Sequence, residues 1–106
     1  MSTMPVTYFT PLHGGNVVIT GVNYAGMAVG YEITGAGVKY PQIYTMTMGN
    51  PVGTTTDLAS VSSPGAAWLE TAMAINDHGV ITGQGMPNTA PYGGDEIGYT
   101  VSMATP

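Results

Sequence analysis

The sequence predicts an all-β fold made of two four-stranded antiparallel units, and three observations support this. A stretch at residues 22–30 returns 53 positions later at residues 75–83, with a β-branched residue, an Asn and two Gly kept in register. Residues 43–48 match residues 98–103 in an alternating pattern of Tyr, Thr and apolar residues. The only helical pattern, at residues 66–73, is too short for more than one turn. A doubled unit of this kind indicates a repeat architecture.

The first unit begins with strand and turn signals in a regular order. Residues 6–10 are β-branched and aromatic and predict a leading strand that Pro11 ends. Residues 17–22 predict a second strand and residues 27–31 a third. The turn between them, residues 23–26, starts with Asn and finishes with Gly, as type I turns in hairpins prefer.

The second unit repeats this hairpin, with strands at residues 72–75 and 80–84 and a turn at residues 76–79. Asn at the start of each turn is expected to bond its own backbone rather than a ligand. Glycine inside each returning strand predicts close approach of a neighbouring backbone. Six residues of the two hairpins are therefore expected to have structural roles: Asn23, Gly26, Gly30, Asn76, Gly79 and Gly83.

A fourth type of strand follows each hairpin. In residues 43–48 the side chains of Tyr44, Met46 and Met48 alternate with Thr, which predicts one buried and one polar face. Residues 54–61 then predict a strand that pairs back on this one. The Gly-rich and Pro-rich loops at residues 34–38 and 85–94 are the variable connections.

The order of these strands predicts a single domain, residues 1–106, made of internal repeats at about 6–48 and 54–103. The leading strand is of the same type as the strand at residues 54–61, which pairs with the strand before it. The last strand of the chain has no such partner after it, so we expect it to pair with a leading strand. Two blade-like units cannot close a ring. We therefore expect a β-propeller-like structure completed by oligomerisation, with a small β-sandwich as the alternative.

Charge and composition exclude several functions. Lys39 is the only basic residue against six acids, and the net charge is -5. Such a chain has almost nothing with which to neutralise a phosphate backbone or an anionic membrane, so we expect no nucleic-acid partner and no membrane insertion. Cysteine is absent, and we expect no metal and no cofactor. A nearly uncharged surface favours assembly with copies of the chain.

The repeated core resembles a known family. Residues 56–58, Thr-Asp-Leu, followed by residues 72–83 with Ile-Asn-x-x-Gly-x-x-x-Gly, are similar to the HAF repeat of extracellular bacterial proteins. Residues 10–12 and 21–30 form the other copy, with Pro11 in place of the acid, and the His-Ala-Phe of the family name has no match before residue 44. The resemblance implies a propeller-like extracellular structure and no catalytic residues.

Few side chains are candidates for a site. Trp68, the sole Trp, could stack on a sugar ring together with Glu70, Asp95 and Glu96, although burial of Trp68 in a core is the more ordinary explanation. The His residues lie in Gly-flanked turns and are expected to be solvated. No Ser or Cys stands in a nucleophile motif, so we expect no enzyme.

Two functions follow as hypotheses. The first is a non-catalytic, self-assembling structural protein of an exterior surface, most readily a virion (phage) decoration or fibre component. It would contact other virion or surface proteins. No signal peptide is visible in residues 1–5, so we expect either export by another route, such as lysis, or removal of a leader. The alternative is a small oligomeric carbohydrate-binding lectin that shares a β-propeller and binds glycans between blades.

Overall fold

The protein folds as two antiparallel sheets, and the prediction of an all-β chain is confirmed. The computed structural model describes residues 6–61, 68–87 and 93–103. The four-stranded sheet has the order β1 (Asn16–Val22), β2 (Ala28–Ile33), β3 (Lys39–Thr45) and β4 (Thr54–Asp57), and it is followed by a short helix, α1 (Leu58–Val61). The three-stranded sheet has the order β5 (Leu69–Ile75), β6 (Val80–Gly85) and β7 (Ile97–Ser102). Neither sheet closes into a barrel or ring.

The duplicated segments form hairpins with the predicted turn. The Gly26 N–H donates to the Asn23 carbonyl at 3.1 Å, and the Gly79 N–H donates to the Asn76 carbonyl at 3.1 Å. Both glycines have positive φ, 80° and 78°, which is the left-handed conformation that ends a type I turn in a hairpin. The Asn23 Oδ1 accepts the Met27 N–H at 3.0 Å. The asparagines therefore have the backbone role that the sequence predicts.

The glycine inside each returning strand lies opposite a β-bulge. The bulges fall between Ile19 and Gly21 on β1 and between Ala72 and Ala74 on β5. A Cβ on Gly30 would collide with the Val18 carbonyl oxygen, and a Cβ on Gly83 with the Thr71 carbonyl oxygen. The predicted close approach of a neighbouring backbone is confirmed at both positions.

The strand predicted at residues 54–61 is half as long as expected. It pairs with β3 as predicted, but β4 ends at Asp57 and the chain turns into α1. Leu58, the first residue of α1, is fully buried between the sheets. Because burial of Leu58 bends the chain away from β3, residues 39–41 of β3 have no partner on the β4 side among the described residues.

The predicted buried face of residues 43–48 is also only partly right. Tyr44 is fully buried, whereas Met46 is 60% exposed and Met48 100% exposed. β3 starts earlier than predicted, at Lys39, and ends at Thr45, so both methionines lie beyond the sheet. In β7 the expected alternation holds, with Tyr99 and Val101 half-buried.

The leading segment is not the regular strand that the sequence predicts. Only Tyr8 forms a bridge, parallel to Val52. The Phe9 ring packs on Tyr44 at 5.2 Å between centroids, so residues 6–15 cover the face of the four-stranded sheet that points away from β5. Within this chain the segment does not pair with β7.

The core lies between the sheets, where β5 crosses β1, β2 and β3. Its buried members are Val29, Ile43, Leu58, Leu69, Ala72 and Ile81.

The loop predicted at residues 34–38 is a tight turn, in which the Gly37 N–H donates to the Thr34 carbonyl at 2.9 Å. Residues 62–65, whose sequence Ser-Ser-Pro-Gly predicts a break in the chain, and the middle of the loop at residues 85–94 lie outside the described residues. In the described part of the chain, no helix has the length and apolar character needed to cross a bilayer.

Candidate functional site

The four-stranded sheet carries a buried carboxylate that holds the leading segment in place. Glu32 on β2 has no exposed surface. Its oxygens accept the backbone N–H groups of Leu12 at 2.8 Å, His13 at 2.9 Å and Gly15 at 2.8 Å, and the Gln42 side-chain amide at 3.0 Å. Burial raises the pKa of Glu32, but these hydrogen bonds outweigh burial and hold its pKa below the ordinary value. The group is therefore a charged and fully satisfied anchor.

Gln42 extends this network toward β4. Its Nε2 also donates to the Asp57 Oδ1 at 3.1 Å, and its Oε1 accepts the Tyr44 hydroxyl at 2.8 Å. Burial, helped by the negative charges of Glu32 and Asp57, raises the pKa of Tyr44 well above its usual value. Tyr44 therefore stays a neutral donor, and the buried polar groups satisfy one another.

His13 is exposed in a bend, as the sequence predicts, but its ring also has two partners. Its Nε2 lies 2.8 Å from the Asp57 Oδ2, and its ring stacks on Tyr40 with centroids 3.7 Å apart and planes 9° apart. The Glu32 anchor fixes the backbone of His13 and so places the ring here. His78 is exposed in its turn, as predicted.

A cleft of about 390 Å³ opens beside this pair. It lies where β3 extends beyond the end of β4, between α1 and the start of β5. Its polar lining consists of His13, Lys39, Tyr40, Asp57 and Ser60, and its apolar lining of Val38, Pro41, Ala59 and Leu69. The volume is within the range of about 300–1,000 Å³ that small-molecule sites occupy.

Trp68, the first predicted ligand residue, packs against the core. It is half-buried, and its ring meets Tyr99 edge-on at 6.3 Å. The Tyr99 hydroxyl donates to the Thr71 carbonyl at 2.7 Å, and burial raises the pKa of Tyr99 to about 12. Trp68 precedes Leu69 of the cleft lining, so it borders the cleft without lining it.

The structure brings together two of the three predicted carboxylates. Burial, a hydrogen bond with Glu96 and the charge of Glu96 raise the pKa of Glu70, and the positive charge of Lys39 opposes this shift. Asp95 is exposed before β7. Glu70 and Glu96 thus form a carboxyl pair near Lys39.

The two hairpin turns contact each other across the sheets. The Tyr24 N–H donates to the Asp77 Oδ1 at 2.8 Å, and the Asn23 amide donates to the Asn76 carbonyl at 3.2 Å. Farther along β1, the Thr20 hydroxyl donates to the Ala72 carbonyl at 2.6 Å. These contacts hold the first strands of both sheets side by side.

The polar side chains at this end of the four-stranded sheet bond one another and the backbone. The Ser60 hydroxyl donates to the Asp57 carbonyl at 2.7 Å, while the His13 Nε2 faces the Asp57 carboxylate. The described side chains around the cleft therefore hold no contact between a nucleophile and a base. Within residues 6–61, 68–87 and 93–103, no three metal-ligating side chains converge.

The comparisons with known proteins found no relative of this chain. No family model, no curated protein and no solved structure matches the chain. The resemblance to the HAF repeat therefore stays a prediction.

Sequence reasoning missed most of the cleft and its support, namely Glu32, Lys39, Tyr40, Gln42 and Asp57. One signal was present: Glu32 is a lone carboxylate within an apolar strand, where an acid is rare unless it is paired. The position of His13 had no such signal, because it depends on contacts with residues 19 to 44 positions away.

Proposed function

We propose that this protein is a non-catalytic structural component that assembles with copies of itself on an exterior surface, such as a virion decoration or fibre. The observation that carries the proposal is that the three-stranded sheet is one strand short of the four-stranded one. β4 pairs with β3, but β7, the strand equivalent to β3, has a free edge among the described residues. A free edge presents unpaired backbone groups and is a ready template for another strand.

The chain carries a segment that resembles the missing strand. Residues 10–12, Thr-Pro-Leu, match residues 56–58, Thr-Asp-Leu, at the end of β4. If the leading segment of a second copy pairs with β7 as β4 pairs with β3, Thr10 lies opposite Gly98 and Phe9 opposite Tyr99. This register follows from the observed pairs Ile43 with Thr56 and Tyr44 with Thr55.

The start of the leading segment exposes apolar side chains and forms no regular strand ladder in its own chain. Val6 is 76% exposed, Tyr8 53% and Leu12 50%. Two backbone hydrogen bonds of Tyr8, to Pro51 and from Gly53, hold its start. Transfer to a β7 edge would replace these bonds with ladder bonds and bury apolar surface, while the Glu32 anchor keeps residues 12–15 on their own chain.

Repetition of this exchange around an axis supports a propeller-like ring. Three chains would give six four-stranded blades, within the usual range of 4–8. β1 exposes Val18, Ile19 and Val22, apolar residues that a neighbouring blade would cover. A contact that failed to close would instead give a filament, which is also a structural role.

Light scattering of the purified chain at micromolar concentration tests assembly. We expect an oligomer, and a monomer after deletion of residues 1–10. A folded monomer of the full chain, or unchanged assembly of the shortened one, contradicts the exchange.

The register is testable by disulfide trapping, since the chain has no cysteine of its own. Thr10→Cys combined with Gly98→Cys should give an interchain disulfide, because directly opposite residues have Cα atoms about 5.5 Å apart or less. The matched control, Thr10→Cys with Thr100→Cys, moves one partner two residues along the same strand and should crosslink poorly. Equal crosslinking of both pairs would rule out this register.

A further inference from the structure

Met46 and Met103 hold equivalent places in the two sheets but have different surroundings. Met46 is the first residue after β3, and Met103 is the first after β7. Each side chain lies beside the glycine that ends its hairpin turn, since a Cβ on Gly26 would lie 2.8 Å from the Met46 methyl carbon and a Cβ on Gly79 3.3 Å from the Met103 Cβ. Met103 packs against the core between the sheets, whereas Met46 is 60% exposed. The contact that Met103 makes is therefore missing at Met46.

An apolar groove of about 490 Å³ adjoins Met46. Its apolar lining consists of Val6, Met46, Met48 and Pro51. Next to the groove, the Phe9 ring packs on Tyr44 of β3. The exchange of residues 6–10 that the proposed function requires would take Val6 and Phe9 away from this side of the sheet. Tyr44, Met46 and Met48 would then form one exposed apolar surface, which we call the Met46 face.

The three-stranded sheet has a complementary bare surface. Thr82 follows Val29 by 53 positions and holds the same place in the repeated hairpin. Val29 is fully buried in the core between the sheets, whereas Thr82 and Thr100, its partner on β7, are exposed. Alternation along β6 and β7 places two further exposed and uncharged side chains beside them. This surface, the Thr82 face, consists of Thr82, Gln84, Thr100 and Ser102.

The two outer faces of the molecule correspond to the two faces that meet at its centre. Within the chain, the side of the three-stranded sheet that carries Met103 packs on the side of the four-stranded sheet that carries Val29. The Met46 face is equivalent to the first of these sides, and the Thr82 face to the second. Neither outer face carries a charged side chain, so their contact avoids the repulsion expected between copies with a net charge of -5. The partner that fits the Met46 face is therefore the Thr82 face of a second copy.

We propose that copies of this chain pack head to tail, with the Met46 face of one on the Thr82 face of the next. This inference rests on the proposed self-assembly and adds a second contact to the exchanged strand. Since two different faces meet, the contact repeats from copy to copy and produces a ring or a filament. Thr82 lies on β6, the central strand of its sheet, so a change of its side chain leaves the β7 edge unaltered.

Charged substitutions test the contact by light scattering of the full chain over a range of concentrations. Met46→Glu and Thr82→Glu should each raise the concentration needed for half-assembly by at least about 10-fold, because each buries a carboxylate against an uncharged surface. Both side chains are exposed, so the variants should keep the circular dichroism spectrum of the unchanged chain. The matched control is Met86→Glu, a methionine with 44% exposure that follows the far end of β6. It should assemble like the unchanged chain.

A charge pair then identifies the two faces as partners. Thr82→Glu combined with Met46→Lys should assemble at lower concentration than Thr82→Glu alone, because opposite charges meet between copies. Absence of this recovery, or a loss in Met86→Glu as large as in Met46→Glu, would overturn the proposal. Assembly that is insensitive to both Met46→Glu and Thr82→Glu would overturn the face-to-face contact alone, whereas a full chain that stays monomeric would contradict the proposed self-assembly as well.

Discussion

The four-stranded and three-stranded sheets contain the same hairpin, yet their third strands have different surroundings. In β3 four consecutive residues, 41–44, are buried, whereas β7 contains no fully buried residue. β3 is flanked by β2 and β4, packs on β5 and is covered by the leading segment. β7 has one strand neighbour. The difference shows that burial here comes from completion of the sheet and not from the hairpin sequence.

The glutamates of the two sheets also differ in their surroundings and in the direction of their pKa shifts. Glu32 is enclosed by donors from the leading segment, and its pKa is lowered. Glu70, on the first strand of the other sheet, meets another carboxyl group, and its pKa is raised. A completed sheet can therefore hold a charge as an anchor, while the incomplete sheet keeps a carboxyl pair at its margin.

Among the changes that distinguish the two sheets, loss of the Glu32 anchor should have the largest effect on stability. Glu32→Ala leaves three backbone N–H groups and the Gln42 amide without their acceptor, at about 1–3 kcal/mol for each group that stays buried. We expect a fall of about 3 kcal/mol in the free energy of unfolding, measured by urea denaturation. Glu70→Ala is the matched change in the other sheet and should have little effect. Equal losses for both variants would contradict the anchor role.

The bulge glycines should show what the two sheets share. Gly30→Ala and Gly83→Ala each force a Cβ against a carbonyl oxygen of the neighbouring strand. We expect losses of about 1–3 kcal/mol for each, seen as lower thermal unfolding midpoints. Gly35→Ala is the control, because a Cβ there meets nothing within 4 Å and its φ is not positive. Tolerance of alanine at either bulge glycine would show that its backbone approach is not rigid.

The turn asparagines should give smaller and similar effects. Asn23→Ala removes a bond to the Met27 N–H, and Asn76→Ala removes bonds to the His78 and Val80 N–H groups. Each variant should lose about 1 kcal/mol in the free energy of unfolding. His78→Ala, in the same turn, should change it by less than about 0.5 kcal/mol, since its side chain is exposed. A loss at His78 as large as that at Asn76 would assign the turn's stability to something other than the asparagine.

The smallest effect should appear in the pH dependence of stability. The folded pKa of Glu32 is lowered, so its contribution is present above the ordinary value of 4.5 and is lost as pH falls through the folded pKa. The folded pKa of Glu70 is raised, so its contribution is present below 4.5 and is lost as pH rises through the folded pKa. Glu70→Gln should therefore have a larger free energy of unfolding than the unchanged chain at neutral pH. This difference should become smaller at acidic pH. Denaturation curves between about pH 3 and 7 measure both trends, and a constant difference would contradict the pairing of Glu70 with Glu96.

Sequence patterns located most strands of the fold but few groups of the candidate site. The Asn and Gly positions and the alternation of Tyr99 with Thr100 depend on neighbours along the chain or across one hairpin, so a local pattern finds them. A local pattern does not find the end of β4, because that end follows from the burial of Leu58. The cleft brings together the leading segment, β3, α1 and β5, and no local pattern predicts that meeting.

The sequence by itself determined the all-β class, the two hairpins and their turns, because type I turns, bulge glycines and strand alternation are written in a few adjacent residues. Only the tertiary structure decided where the leading segment lies, why Glu32 is charged while buried, and that the exposed His13 ring contacts Asp57. These outcomes depend on which distant groups satisfy buried donors and acceptors. That choice is made when the sheets pack and not when the strands form.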